Sequence, residues 1–430
     1  MNTSALTRSV RHRAADKPNA IDLFARKLVF AQLERLHTGR VRIVDAEGAR
    51  TFGQDRADLR ADVDVRHNRF YRAVAFGGSI GAAEAYMDGL WRCNDLVSLL
   101  RMMLLNGELS QVRTIDTGWG RLAEPFHRAY HALRRNTPLG SRRNIAAHYD
   151  LGNDFFRLFL DETMMYSSAV FPQQRSTLAE ASRHKIDRIC QKLDLQPHDH
   201  LLEIGTGWGG FAVHAAKRYG CRVTTTTISR EQYHLARKRV TDAGLQDRVE
   251  VLLNDYRDLD GQYDKLVSIE MIEAVGHHYF DAYFRKCGAL LKPDGLMMLQ
   301  AITMSDWAYE RARRSVDLIK RYIFPGSCIP SLAAMSGAIS RVTDMRIFHL
   351  EDIGPHYART LRAWRERLRG NLDHVREMGF SDAFIRMWEY YFCYCEAGFQ
   401  ERYISDVQML LSKPLNRRPP VLPNLVPQGD

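Results

Sequence analysis

The sequence predicts an α/β fold in which helices flank a parallel sheet, with a smaller α+β unit ahead of it. Three observations carry this reading. Residues 201–220, LLEIGTGWGGFAVHAAKRYG, read as a buried strand (Leu201, Leu202, Ile204), a glycine-rich turn and a helix opened by Phe211 and Val213. Four further β-rich runs follow, CRVTTTTISREQ, RVEVLLNDY, YDKLVSIEMIEAVG and GLMMLQAIT, separated by helical patterns. Such alternation means βαβ units, and it puts a ligand at the carboxyl ends of the strands. The third observation is a run of short strand and helix patterns before residue 106, separate from the alternating series.

Taken in order, residues 1–20 are polar and basic and read as a mobile arm. Residues 21–36 place Phe24, Leu28, Val29 and Leu33 at helical spacing. VRIVDAEGARTFG reads as a hairpin turning at Glu47-Gly48, and ADVDVRH as another strand. FYRAVAFGGSIGAAEAYMDGLW reads as helix, glycine break, helix. These elements make an N-terminal accessory domain, residues 21–106, whose apolar residues form a core or an apolar-ligand pocket. Residues 107–143 are an arginine-rich connector interrupted by glycine and proline, with Arg128, Arg134, Arg135, Arg142 and Arg143. The main domain spans 144–412, and the proline-rich tail, 413–430, is extended.

Composition narrows the function. No run approaches the ~18 apolar residues of a membrane helix, and the N-terminus lacks a signal-peptide core. Seven scattered cysteines suit a reducing compartment, so a cytoplasmic protein is expected. No spacing suggests a metal site. A net charge of +10 suits nucleic acid, an anionic membrane surface or simply a basic exterior. No RNA-binding signature, zinc finger or helix-turn-helix pattern supports nucleic acid. The glycine turn lacks the spacing of a nicotinamide fingerprint and the GK[ST] of a phosphate loop.

The turn EIGTGWGG resembles motif I of S-adenosylmethionine-dependent methyltransferases. HYDLGNDFFRLFLDETMMYSSAVF, LLEIGTGWGG, IKRYIFPGSCIPS, GPHYARTLRAWRERL and CYCEAGFQER occur in this order, and together they resemble the cyclopropane-fatty-acyl-phospholipid synthase family and its mycolic-acid relatives. The resemblance covers residues 40 to 411, and FGGSIGAAEAYMDGLWRCNDL resembles the accessory domain of two-domain members. It implies a Rossmann-like class I methyltransferase sheet. It also implies transfer of a methylene from S-adenosylmethionine across a cis double bond of an unsaturated phospholipid acyl chain. A phospholipid acyl chain lies in a bilayer, so with its basic segments this chain is expected to act peripherally at an anionic inner membrane surface, and a homodimer stays open.

By the same resemblance, cofactor contacts fall on Tyr166, Ser167, Glu203, Gly205, Gly207, Gly209, Thr227, Ser229, Gln232, Tyr256 and Arg257. Methyl transfer leaves a carbocation, which an aromatic face stabilises; Tyr322 is assigned to that neighbourhood. In the family a bound bicarbonate is the favoured base, held by Cys, Glu, His, an Ile backbone and Tyr. Glu273, Ile302 and Tyr322 match that set, whereas Ser168 (YSSA) replaces the cysteine and Gln300 (LQAI) the histidine. Both replacements still donate hydrogen bonds to an anion, and neither ionises as a base near neutral pH. The departures leave open a methyl-branched or methylene product, another apolar acceptor, or a catalytically inactive binding module.

Cys395 matches a cysteine suspected as catalytic, or serves as a small hydrophobe beside the lipid channel. His148 and Asp150 order a loop over the cofactor or open a helix. For the membrane, Arg311, Arg313, Arg314, Lys320 and Arg321 are expected on one helix, WAYERARRSVDLIKRYIF, with Trp307, Val316, Leu318, Ile319 and Ile323 free for apolar contact.

Overall fold

A computed structural model describes residues 19–107 and 151–421. Residues 1–18 of the expected arm, the connector arginines, His148 and Asp150 lie outside the described residues; the arm's last two residues, Asn19 and Ala20, cap and open a helix instead.

In the N-terminal unit, α1 (Ala20–Leu33) starts at a reciprocal capping box between Asn19 and Asp22. Four strands follow, β1 (Arg40–Asp45), β2 (Gly48–Gly53), β3 (Arg60–Val65) and β4 (Trp91–Cys93), in the order β2-β1-β3-β4. The expected hairpin is present, but Asp45 pairs with Gly48, so Ala46 and Glu47 form the turn. Between β3 and β4 runs α2 (Arg69–Met87), and α3 (Leu96–Gly107) closes the unit. The anticipated break in α2 falls at Gly78, whose φ of 57° and ψ of −140° interrupt the helix. Three residues on, Gly81 lets the two halves close up.

The main unit opens with a short helix, α4 (Asn153–Arg157), and α5 (Leu178–Leu193), which starts at a Thr177–Glu180 capping box. The alternating series is β5 (His200–Ile204), α6 (Gly210–Tyr219), β6 (Arg222–Thr226), α7 (Arg230–Asp242), β7 (Val249–Leu252), β8 (Tyr263–Ile269), α8 (Phe280–Leu290) and β9 (Leu291–Met304). Then come α9 (Asp306–Ala312), α10 (Leu332–Val342), β10 (Arg346–Asp352), α11 (Gly354–Gly370), α12 (Leu372–Glu377), α13 (Asp382–Gln400) and β11 (Ile404–Ser412). The described strands order as β10-β11-β9-β8-β5-β6-β7.

The sheet is mixed, which corrects the expectation of a parallel one. β9, β8, β5, β6 and β7 are parallel neighbours, and β10 and β11 add antiparallel pairs at one end. β11 joined the sheet interior, between β10 and β9, unannounced because Asp406 and Gln408, both fully buried, interrupt its apolar pattern.

Helix α13 joins the two units, packing on α11 on one side and on α2 and α3 on the other. Tyr86 donates to Glu389 at 2.9 Å, Arg386 Nε to the carbonyl of Met87 at 2.8 Å, and Arg101 pairs with Glu401.

The stretch 306–323 is not one helix. α9 ends at Ala312, and the chain resumes as a single wide turn of π-helix, Ile319–Ile323. Lys320 explains the break: its Nζ donates to the carbonyls of Ala312 and Ser315 at 2.6 and 2.8 Å, satisfying groups that the helix end leaves open. Leu318 and Ile323 are buried and unavailable to a membrane, whereas Trp307 is 61% exposed.

A methyl group on Gly81 would stand 1.9 Å from the carbonyl oxygen of Ala73. Gly81→Ala should therefore cost about 1–3 kcal/mol, as overpacking does, read as a lowered melting temperature. An unchanged melting temperature would show that the two halves of α2 can separate freely.

Candidate active site

The strand ends converge as the alternating series requires. β5 delivers Glu203 and then Gly205 and Gly207, with φ of 100° and 51°. A Cβ on Gly207 would meet nothing within 4 Å, so this turn faces open space. After β6, Thr227 donates to Gln232 Oε1 at 2.8 Å. After β7, Asp255 holds Arg257 through Nε and Nη2 at 2.8 and 2.6 Å. After β8 come Glu270 and Glu273.

These ends open onto a cavity of about 1340 Å³ that continues into the N-terminal unit, where Val41, Ile43, Phe70, Trp91 and Leu100 line it. Trp307, Arg311, Arg313 and Arg314 also line it. Twelve of the anticipated residues reach this space: Tyr166, Ser167, Glu203, Gly205, Gly207, Thr227, Gln232, Tyr256, Arg257, Glu273, Ile302 and Cys395.

Five do not line it. Gly209 caps α6 at a left-handed φ of 82°, and Ser229 caps α7 by accepting from the Gln232 amide at 3.3 Å. Tyr322 turns away: its hydroxyl donates to Glu84 Oε1 at 2.5 Å, and Arg321 pairs with the same carboxylate at 2.8 Å. The wide π-turn carries it towards the N-terminal unit, while Phe324 faces the cavity. Ser168 and Gln300 are fully buried beyond the lining. The Ser168 hydroxyl donates to the carbonyl of Ala169 at 3.0 Å, so it does not serve as an anion donor.

What Ser168 and Gln300 hold instead is Glu270, which was not anticipated. Its Oε1 accepts from the Ser168 amide at 2.7 Å and from Gln300 Nε2 at 2.8 Å, and its Oε2 accepts from the Tyr357 hydroxyl at 2.7 Å. Its φ is 49°, a conformation that non-glycine residues adopt only at a cost. Burial raises its carboxyl above the usual range, against the lowering pull of Tyr357 and Lys185. Glu273 accepts from the Ile302 amide at 2.5 Å, and its other oxygen has no hydrogen-bond partner among the described residues. Burial, then repulsion from Glu270, pushes it up to about 8. Glu203 accepts from Thr225 at 2.6 Å and is also pushed up to about 8 by burial. Fully buried Lys185 donates to Ser167 at 2.8 Å; burial lowers its ammonium to about 8 despite Glu270 and Asp406 nearby. Cys395 borders the cavity, and burial raises its thiol, which favours the neutral form. All seven cysteines are free. Among the described residues no group of His, Cys, Asp and Glu is placed to hold a metal ion, and no helix is long and apolar enough to cross a membrane.

The strand-end pocket fits S-adenosylmethionine in its donor set: an open glycine turn, a buried glutamate at the end of β5, and Gln232, Asp255 and Arg257 around it. Fold and site together define a class I methyltransferase. The family model for mycolic acid cyclopropane synthetase matches residues 137–409. The tuberculostearic acid methyltransferase UfaA1 of Mycobacterium tuberculosis is 41% identical over 381 residues, 86% of this chain and 87% of that protein. The cyclopropane-fatty-acyl-phospholipid synthase of Escherichia coli K12 is 35% identical over 354 residues, 82% and 88% of the two chains. The solved mycolic acid cyclopropane synthase CmaA1, complexed with SAH and CTAB, superposes with a TM-score of 0.59 at 32% identity, covering 63% of this chain and 98% of that one. The chain therefore belongs to the mycolic acid cyclopropane synthetase family, and it is an S-adenosylmethionine-dependent fatty acid methyltransferase.

The buried glutamates make stability depend on pH. Unfolded, Glu203 and Glu273 lose their protons near the ordinary 4.5; folded, they keep them to about 8. Between those values the folded state binds more protons, so these two groups make stability fall as pH rises. Melting temperature of the cofactor-free protein should decline from pH 5 to 8, with a shallower slope in Glu273→Gln. A slope identical to wild type in that variant would mean that Glu273 is ionised in the fold.

Proposed function

We propose that this enzyme methylates the cis double bond of an unsaturated phospholipid acyl chain and that Glu270 is the base that completes the reaction. The observation that carries the reading is Glu270 itself, a cavity-lining carboxylate held by Ser168, Gln300 and Tyr357. S-adenosylmethionine, when bound, supplies a methyl group on a sulfonium sulfur. Gly205, Gly207, Glu203, Gln232 and Asp255 would hold it.

The chain's residues do the rest. The apolar arm of the cavity takes the acyl chain, at ~0.8 kcal/mol per buried methylene, and excludes the water that would quench a carbocation. Tyr166, Phe324 and Tyr391 offer aromatic faces to the cation, worth ~2 kcal/mol where desolvated. Glu270 then takes a proton from the new methyl group. The released electron pair forms a ring bond to the cationic carbon, or an exocyclic double bond once a hydride has shifted from the methylated carbon to the cationic one. A tethered carboxylate makes a bound bicarbonate unnecessary. The likeness to a relative named a methyltransferase, not a cyclopropane synthase, favours the open-chain methylene product. Cyclopropane formation is the second reading, favoured by the likeness to the Escherichia coli synthase.

Glu270→Gln should lower turnover at least ~100-fold, the range of general-base catalysis, with cofactor affinity by calorimetry within about twofold. Wild-type turnover in carbon-dioxide-depleted buffer should not respond to added bicarbonate. Mass spectrometry and proton NMR of the acyl chains distinguish ring from methylene. Near-normal turnover in the variant, or a bicarbonate requirement in wild type, would defeat the proposal.

Lipid access rests on Trp307, Arg311, Arg313 and Arg314, all of which line the cavity. A basic residue near an anionic surface contributes ~1 kcal/mol. Arg313 and Arg314 both bond Glu310, at 2.7 and 3.0 Å, which discounts their share. Binding to anionic vesicles should exceed binding to zwitterionic ones and weaken with salt. Arg313→Glu with Arg314→Glu should reduce it while sparing cofactor binding. Equal sedimentation with both vesicle types would exclude an electrostatic contribution.

A further inference from the structure

Between α5 and the sheet lies a seam of polar side chains: Lys185 and Lys192 from the helix, Gln300 from β9, and Asp406 and Gln408 from β11, all buried. Its direction can be read from one end. An ammonium only donates, so Lys192, 2.7 Å from Gln408, faces the amide oxygen. Gln408 Nε2 must then donate to Gln300 Oε1, at 3.1 Å. This turns Gln300 Nε2 to two carboxyl groups at once, Glu270 Oε1 at 2.8 Å and Asp406 Oδ2 at 3.0 Å. Asp406 is within hydrogen-bonding reach of Glu270, and among the described residues its Oδ1 is buried with no donor to it.

We propose that Asp406 is the positioning partner of Glu270, the two carboxyl groups sharing one proton in the resting enzyme. This rests on the reading of Glu270 as the base. The charges that face the pair are Glu273 beside the cavity and Lys185 from α5; Tyr357 from α11 faces it as a neutral phenol. Lys185 is one positive charge, and two adjacent carboxylates without a proton would leave a surplus negative charge away from water. One proton, carried by Asp406 and donated to Glu270, leaves the pair at a single negative charge that Lys185 balances. During turnover Glu270 takes the proton of the substrate methyl group, whose C–H electron pair enters the new carbon–carbon bond. The pair then holds two protons, and one passes to water after the product leaves. Burial raises the Asp406 carboxyl well above the ordinary range, consistent with its carrying the resting proton.

An O–H donor stabilises ionised Glu270 more than an amide N–H does. In Asp406→Asn the acid limb of the kcat–pH profile should therefore move up by about one unit, with KM and cofactor affinity within about twofold. Asp406→Glu should restore the limb. The infrared difference spectrum of wild type minus Asp406→Asn, taken above the limb, should show one protonated carboxyl band; Glu203 and Glu273 cancel in it. Should the Asn variant fail to fold, Lys185→Met tests the same pair: loss of the balancing cation should move the limb upward by at least one unit. An unmoved limb, or a difference spectrum showing only an ionised carboxylate, would overturn the proposal. Glu270→Gln separates the two claims. Near-normal turnover there defeats the base itself, whereas an inactive Glu270→Gln with an unmoved limb in Asp406→Asn defeats only the partnership.

Discussion

The carboxylate of Glu270 accepts from a backbone amide, a side-chain amide and a phenol, at 2.7 to 2.8 Å, at the wall of the cavity. Each donor comes from a different part of the main unit: the loop before α5, the sheet strand β9, and α11. A buried carboxylate left unpaired would cost several kcal/mol, so these three segments must meet for the site to exist. The φ of 49° belongs to the same constraint. It aims the side chain towards its donors, and the surrounding bonds hold a backbone conformation that would otherwise relax.

The need to keep a carbocation from water also explains why a second unit is attached. The strand ends of an open α/β sheet are a crevice, which water fills. Here the N-terminal unit supplies the far wall, so one cavity is lined by Glu203 and Gly205 at one end and by Val41 and Trp91 at the other. α13 holds the two units in register, with Cys393 and Ala397 in the N-terminal core and Trp388 and Phe392 in the aromatic core behind the cavity. The helix is thus apolar nearly all round, as a helix buried on two sides must be.

Much of this was legible in the residues. The glycine turn could be assigned because left-handed backbone at Gly205 and Gly207 is needed wherever a ligand approaches that closely. The break at Gly78 was legible for a similar reason. Pattern reasoning failed where a side chain's place depends on local winding. Tyr322 and Phe324 are two residues apart in one motif, and only the π-turn decides which of them faces the cavity. It failed again where polarity masked burial, because Asp406 and Gln408 make a buried strand look like a surface one. Glu270 was hidden by its backbone, since nothing in SIEMIE marks a glutamate with positive φ. Tyr357 lay in a recognised motif, but its contact with Glu270 joins positions 87 residues apart.

A carboxylate fixed in the protein and an anion borrowed from solution solve one problem at different costs. A borrowed anion must be bound at each turnover and compete with the solvent. A tethered one is already in place, and the gain is that of an intramolecular reactant. The cost is electrostatic, because the charge persists when no carbocation is there to offset it. A lone glutamate in such a cavity would simply stay protonated and be useless as a base. The surrounding groups answer this in two ways. Donors from Ser168, Gln300 and Tyr357 favour the ionised form, and Lys185 returns a positive charge from behind the sheet. Together they oppose the desolvation that raises the carboxyl, and the most effective general base has a proton affinity near the operating pH. The amide at position 300 fits this arrangement. A histidine there could itself take up a proton near neutrality, whereas glutamine donates at every pH and leaves proton transfer to the carboxyl groups it holds.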